Sequence, residues 1–542
     1  MGRRLLHPAA ALFPSRFTGN AVAISHHFPT KRTKAIPAAL VRLFFARRLA
    51  LFVRGMFRYI QCGRSRFFHI STDAGRIMPT RTIVVAGTHS GCGKTTASLG
   101  LMAALVRRGL TVQAFKCGPD FIDPGHHERI TGRPSHNLDG WMMGHDAVQE
   151  VFAREAADAD VAVVEGVMGL YDGRTGTGED GSTAQIAKWL GAPVVLVADA
   201  RSMARSAAAL VTGYTAFDPD IDFAGILLNR VGSDNHAQLL DDALRGLPDH
   251  LGSQPPLLGL LRRREGLELP SRHLGLVTAQ DHHLPEDTVT QLAQWMEDGC
   301  HLGRLLDRSP ERHLTPTAPP TQAEKPVRIA VARDEAFCFY YHENLRQLEA
   351  AGAQLVFFSP LRDAALPPDI GGLYLGGGYP ELHAAQLSGN AAMRAAVRGF
   401  SEANGPVYAE CGGFMYLMRG ITTAEGAEHT MVGVFPMHAA MDKRFRALGY
   451  REAVTTASTF FGPEWTMLRG HEFHYSSPSA LDADIPAVYK VMDRRGWTGA
   501  KEGFALRQTL ASYIHVHFAS NPDAARAFVD AARAHTAQSA AE

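Results

Sequence analysis

The feature that most constrains the fold is an apolar run that ends in a glycine-rich turn and then a helical pattern. Thr82-Ile83-Val84-Val85-Ala86 reads as a buried strand and Gly87-Thr88-His89-Ser90-Gly91-Cys92-Gly93 as a turn. Lys94 opens a helical periodicity that runs over Thr95–Arg108. A strand that delivers a helix N-terminus behind glycines is the opening unit of a doubly wound α/β sheet. Backbone N–H groups at such a helix start bind clustered anionic oxygens, and glycine lets the backbone close on them. Thr88 stands where the string G-x-x-x-x-G-K-[ST] has its first glycine. Gly91, Gly93, Lys94 and Thr95 keep the core of the cradle and read as ATP-binding. Lys94 would neutralise phosphate charge and the Thr95 hydroxyl would bind Mg²⁺.

The alternation of apolar and amphipathic stretches continues. Strands are expected at Thr111–Lys116, Val161–Glu165, Pro193–Asp199 and Phe223–Asn229, and a helix at Ser202–Tyr214. Open α/β sheets bind ligands at strand ends, and acidic loops follow the second and third strands here. Asp120 and Glu165 are candidates to complete Mg²⁺ coordination with Thr95. Asp123, Asn137, Asp139 and Asp172 lie in loops expected to face a substrate, although each alone is as often a cap or turn residue. His126-His127 reads as part of a loop rather than a metal pair. Asn229 ends a strand with an amide that can read a nucleotide base.

A second centre lies about 320 residues on, in Ala409-Glu410-Cys411-Gly412-Gly413. Cys411 sits between a strand (405–409) and a helix-like run (414–418), an elbow that exposes a nucleophile at a helix start, where the dipole lowers the thiol pKa. The base must come from elsewhere in the chain. His515 is the first choice, with His517 as the alternative. Gly376-Gly377-Gly378 follows a strand and offers N–H groups for an oxyanion, from Gly377 and Gly378. A buried packing cysteine is the plainer reading of Cys411 alone; the elbow, the triple glycine and the histidines together outweigh it. One centre consumes ATP and the other works on an acyl or amide carbon. Both on one chain describe an ATP-driven, glutamine-using amide synthase.

Composition sets the limits. The chain has 542 residues, enough for two or three domains. Residues 1–77 hold 14 Lys or Arg against one acid, Asp73, so the remainder is net acidic, which argues against nucleic acid as a partner of the body. This leader reads as spurious or dispensable, Met78 being the expected start directly before the first strand, with a targeting peptide as the alternative. Its apolar stretch 38–53 is broken by Arg42, Arg47 and Arg48, so no membrane span is expected. Six cysteines without metal or disulfide spacing fit a cytoplasmic protein. The expected organisation is a leader (1–77), a P-loop synthetase domain (78–306), a proline-rich linker (307–325), an amidotransferase domain (326–530) and a fraying tail (531–542).

From Met78 to Asn521 the chain resembles the cobyrinic or hydrogenobyrinic acid a,c-diamide synthases of vitamin B12 biosynthesis. The resemblance rests on the modified phosphate loop, Gly118-Pro119-Asp120-Phe121-Ile122-Asp123-Pro124, Asn137-Leu138-Asp139, the run from Glu165 to Gly173, and Ala409-Glu410-Cys411-Gly412-Gly413. It implies an α/β fold with an N-terminal P-loop domain like dethiobiotin synthetase and a C-terminal class I glutamine amidotransferase domain. It implies ATP, Mg²⁺, glutamine and a corrinoid tetrapyrrole, with Cys411 and His515 releasing ammonia and an acyl phosphate accepting it. Many class I glutaminases follow their histidine with Pro-Glu; here Val516 and His517 follow, so the third triad member is missing. Rival readings are a cobyric acid synthase, a nickel-sirohydrochlorin a,c-diamide synthase and, from another class, a deviant-Walker partitioning ATPase. The oligomeric state is left open, a homodimer being one candidate.

Overall fold

Strands buried on both faces need near-continuous apolar sequence, and the first half supplies it. In the computed structural model, β1 (Pro79–Gly87), β2 (Val112–Cys117), β3 (His136–Leu138), β4 (Val161–Glu165), β5 (Val194–Asp199), β6 (Phe223–Val231) and β7 (Leu257–Arg262) form one parallel sheet in the order β3-β2-β4-β1-β5-β6-β7. The structure describes residues 79–540 apart from 248–253, 265, 268–270, 273–274, 277–283, 317–324 and 480–484. The leader 1–77 and Met78, with the expectations placed on them, lie outside the described residues.

One apolar cluster fills each face of this sheet, around Val84 and Phe115 on one side and around Ile83 and Met102 on the other. Each fully buried Val, Leu or Phe contributes about 1.5–3 kcal/mol, so the helices are held chiefly by the faces they cover. Helix α1 (Lys94–Arg107) starts where the phosphate loop ends and packs along α2 (Glu286–Gly299). Gly100 permits the close approach, since a Cβ there would lie 3.2 Å from the Leu292 carbonyl oxygen.

The expected linker is placed differently. Leu302–Asp307 is helical, and β8 (Glu311–His313) pairs antiparallel with Pro79–Arg81 of β1. Arg81 explains the attachment, bonding the Leu306 and Ser309 carbonyls and Glu311. Part of the expected linker, 311–313, is thus attached to the first sheet, and the proline-rich 317–324 lies outside the described residues.

The second half has a mixed sheet. Its parallel part is β9 (Val327–Ala332), β10 (Ala353–Phe358), β11 (Gly372–Leu375), β12 (Val407–Glu410) and, later in the chain, Thr509–Ser512. An antiparallel meander continues it. β13 (Ala447–Thr455) and β14 (Met467–His474) make a long hairpin, followed by β15 (Ala487–Asp493), β16 (Glu502–Leu506), β17 (Thr509–Ser512) and the short β18 (His515–Val516). β18 pairs with β14 while β17 pairs with β12, so the meander curls back onto its own start. The last helix runs from Pro522 to Ser539, into the expected tail, with Ala532 fully buried. The described residues of both halves belong to one compact unit. No helix among the described residues is long and apolar enough to cross a membrane.

Candidate active site

β1, β2 and β4 end side by side, so their C-terminal residues meet. Gly91 and Gly93 adopt positive φ (85° and 97°), turning the loop amides over the start of α1. Lys94 Nζ donates to the His89 carbonyl at 3.2 Å, which folds its side chain under the loop. The Thr95 hydroxyl donates to Glu165 Oε1 at 2.7 Å and approaches Asp123 Oδ2 at 3.4 Å. Asn229, expected to read a base, lies against the phosphate loop. Its amide donates to the Cys92 carbonyl at 3.0 Å, and a Cβ on Gly93 would collide with it, so Asn229 props the loop from behind.

A residue the sequence reading passed over stands at the centre. Lys116 Nζ lies 2.6 Å from Asp123, 2.9 Å from Glu165, 3.2 Å from the Gly166 carbonyl and 3.9 Å from Asp120. The signal was available in the register, because β2 pairs Lys116 directly with Glu165 of β4. Burial works against this ammonium, but Asp123 and Glu165 outweigh it and hold the Lys116 pKa well above the usual lysine range. Glu165 is fully buried, yet Lys116 and His127 keep its pKa well below the usual carboxylate range. Asp123, crowded by burial, Asp120 and Glu165, is pushed up. His127 was expected to be a loop residue; it sits instead in α3 (Asp123–Thr131) and ties Glu165 Oε2 (2.8 Å) to Ser135 (3.0 Å).

The other acidic candidates divide by geometry. Asp120 spends Oδ1 on the N–H groups of Ile122 and Asp123, closing the turn into α3, and Asn137 bonds the Gly118 and Asp120 carbonyls. Asp123, read as a substrate residue, lies in the Thr95–Lys116–Glu165 cluster. Asp139, read the same way, is buried, because it caps a short helix through the N–H groups of Trp141 and Met142 and accepts the Tyr450 hydroxyl at 2.6 Å. Asp172 is exposed and accepts from the Gly169 amide at 2.9 Å.

These oxygens suit Mg²⁺. A hydroxyl and carboxylates are hard ligands, and they already converge on one cationic group, the Lys116 ammonium. Mg²⁺ needs only one or two protein carboxylates beside phosphate oxygens.

The cysteine centre is built at a second set of strand ends. Cys411 follows β12 with φ 46° and ψ −100°, a conformation non-glycine residues rarely hold. Its N–H donates to the Ser512 carbonyl at 2.8 Å, and Gly413 N–H to the Gly376 carbonyl at 2.9 Å, so β17 and the triple-glycine loop fix the elbow from two sides. The Gly376 amide is used by the Tyr340 hydroxyl and the Gly377 amide by the Phe339 carbonyl. The Gly378 nitrogen would lie 3.0 Å from a Cβ on Gly412, beside the elbow. The expected low thiol pKa is not found. Burial and the charges of Glu381, Glu410 and Glu472 outweigh the Gly412 amide and push Cys411 up.

His515 is buried, and burial takes its pKa down to about 3, so the ring is neutral and free to accept a proton. It packs against Gly377, where a Cβ would strike the ring, and stacks on His471 at 4.8 Å and 15°. His517 is turned away: its Nδ1 accepts from the Ala519 amide, and its ring packs on Tyr341 at 4.6 Å. His515 thus lies against the triple-glycine loop, whereas the His517 ring packs on Tyr341.

Phe121 joins the centres. It lies between Asp120 and Asp123 in sequence, yet its ring sits on the other domain, 5.2 Å from His515, 5.5 Å from His471, 4.7 Å from Tyr341 and stacked at 5.2 Å on Phe339. A loop of the phosphate-binding domain thus touches the histidine of the cysteine centre.

Residues 83–277 match a CobQ/CobB/MinD/ParA nucleotide binding domain, and residues 328–523 match a CobB/CobQ-like glutamine amidotransferase domain. A cobyrinate a,c-diamide synthase of Syntrophotalea carbinolica is 50% identical over 457 residues, 83% of this chain and 98% of that protein. The chain belongs to the cobyrinate a,c-diamide synthase family. Two further members, from Leptospira interrogans and Salmonella typhimurium, are 43% and 42% identical over 82% and 83% of this chain and 97% and 98% of their own lengths. For a member of this family, the two centres are the two halves of a glutamine-dependent, amide-forming ligase. The partitioning-ATPase reading accounts for only one of the two matched domains.

Proposed function

We propose that this protein amidates the a and c acetate side chains of cobyrinate or hydrogenobyrinate, using ATP and glutamine. One observation carries the reading: a phosphate loop with a buried carboxylate–lysine cluster and a cysteine–histidine elbow meet through Phe121 within one chain.

At the elbow, Cys411 Sγ attacks the side-chain amide of glutamine. Because the thiol is raised and His515 is neutral, the proton passes to His515 as the bond forms. The Gly378 N–H faces the developing oxyanion, and His515 returns the proton to the departing ammonia. Water then hydrolyses the thioester to glutamate. In the other domain, Gly91, Gly93 and Lys94 hold the ATP phosphates, and a substrate carboxylate oxygen attacks the γ-phosphorus, displacing ADP, to give an acyl phosphate. Thr95, Glu165 and Asp123 would hold Mg²⁺, which supplies charge neutralisation on the phosphates when bound. Lys116, permanently cationic beside them, is positioned to bind the carboxylate or the transferring phosphoryl group. Ammonia displaces phosphate, and a second cycle treats the second acetate.

Incubation with cobyrinate and with hydrogenobyrinate, each with ATP and glutamine, tests this by mass spectrometry. The expected product has two carboxylates converted to amides. Four conversions, or none, would overturn the assignment.

A further inference from the structure

The family's missing triad carboxylate has a counterpart on the other side of the elbow. Glu410, the residue before Cys411, is buried at the end of β12. Its Oε1 accepts the backbone N–H of Val516 at 2.9 Å and the Tyr408 hydroxyl at 2.5 Å, and its Oε2 accepts the Tyr374 hydroxyl at 2.9 Å. Val516 directly follows His515. The same peptide is held from its other end, where Asn344 donates to the Val516 carbonyl at 2.7 Å. By contrast, His515 Nδ1 has no hydrogen-bond partner among the described residues. The imidazole is therefore set by packing and by the backbone that carries it, not by a carboxylate on the ring.

We propose that Glu410 is the positioning residue of the glutaminase, fixing His515 relative to Cys411 by gripping the Val516 amide instead of the imidazole. It is covalently joined to the nucleophile at one end and hydrogen-bonded next to the base at the other, so one side chain sets both. This rests on the glutaminase assigned above.

The chemistry of the grip is selective. All three partners of Glu410 are donors, and a carboxylate accepts from all of them. A protonated carboxyl or a glutamine amide turns an O–H or N–H toward one of these partners, and the bond to Tyr374 survives only if that hydroxyl reverses to accept it. Burial pushes Glu410 up to about 7 against the opposing hydrogen bonds, so its protonation falls in the neutral range. The titratable groups around it are Tyr340, Tyr341, Tyr374, Tyr408, Tyr489 and Cys411, all raised by burial and uncharged there. His515, at about 3, is already neutral throughout that range. The glutaminase should therefore lose kcat as pH falls through about 7, while the KM for glutamine holds.

Glutaminase and ammonium-dependent synthesis are measured across pH on the full chain. Glu410→Gln should lower glutaminase kcat by about tenfold or more at pH 8, abolish the limb near pH 7, and leave ammonium-dependent synthesis intact, which also reports folding. Tyr374→Phe removes a donor that favours the charged form, so the limb should move to higher pH. Glu502 is also pushed up to about 7 and accepts from Ser512 and the Tyr513 amide, so Glu502→Gln is the control and should keep the limb. A normal glutaminase profile in Glu410→Gln, an unmoved limb in Tyr374→Phe, or a limb lost only in Glu502→Gln would each overturn the proposal. A wild-type protein without glutaminase activity would instead overturn the function it rests on.

Discussion

In the proposed scheme Cys411 and Lys94 divide the labour between two reactions that share only ammonia. Cys411→Ala should abolish glutamine-dependent synthesis yet keep synthesis with ammonium at alkaline pH, where free NH₃ is available. Lys94→Ala should lose both, by on the order of 10²-fold or more, because neither nitrogen source helps without an activated carboxylate. Product assays with the two nitrogen sources separate these outcomes, and a Cys411→Ala protein that binds ATP but is inactive with ammonium would place the thiol in the synthetase step. His515→Ala should follow Cys411→Ala. His517→Ala should be milder, since that ring caps the Phe518–Ser520 turn and packs on Tyr341. Equal losses in the two histidine variants would undo the choice of base.

At the scale of elements, the loop between β2 and α3 does two jobs within four residues. Asp120 and Asp123 face the Lys116 cluster, while Phe121 reaches His515. Phe121→Ala should therefore raise the glutamate formed per amide formed above the wild-type ratio, as ammonia release and its use fall out of step. An unchanged ratio would reduce the ring to filler. The sequence made the strands of the first sheet legible, because helix-covered parallel strands are apolar throughout and β1 and β4 read that way. It made Cys411 legible through its flanking glycines. It did not reveal Lys116, since a lysine at a strand end is informative only once its neighbour Glu165 is known. Nor did it show the Asn229 bond to Cys92 or the Asp139 bond to Tyr450, because a polar loop residue looks the same whether it meets ligand or protein. The Cys411 pKa was misjudged because helix starts are visible in sequence and burial is not. The meander from 447 to 506 went unread because its strands pair with each other rather than alternate with helices.

For the whole molecule, the contact between the halves is a measurable part of stability. Tyr450 donates to Asp139 across the boundary, Arg154 pairs with Glu343 at 2.7 Å, and Arg469 bonds the Trp141 carbonyl. Tyr450→Phe leaves a buried carboxylate oxygen without this donor and should cost about 1–3 kcal/mol in denaturant unfolding. Burial raises Asp139 from its ordinary 3.8 to about 6. A raised carboxyl binds its proton more tightly in the folded state, so its contribution is fully present below about pH 4 and is lost as pH rises through 6. The slope approaches about 1.4 kcal/mol per pH unit. Asp139→Asn should remove that slope from the pH dependence of stability, and a slope that survives would assign it to another group. The Phe121 contact has a further consequence, for behaviour on dilution. Joined in one polypeptide, the ammonia source faces its consumer at an effective concentration on the order of millimolar whatever the amount of protein present. Separate subunits would drift apart as they became scarce; here the yield of amide per glutamine should stay constant down to the most dilute enzyme that can be assayed.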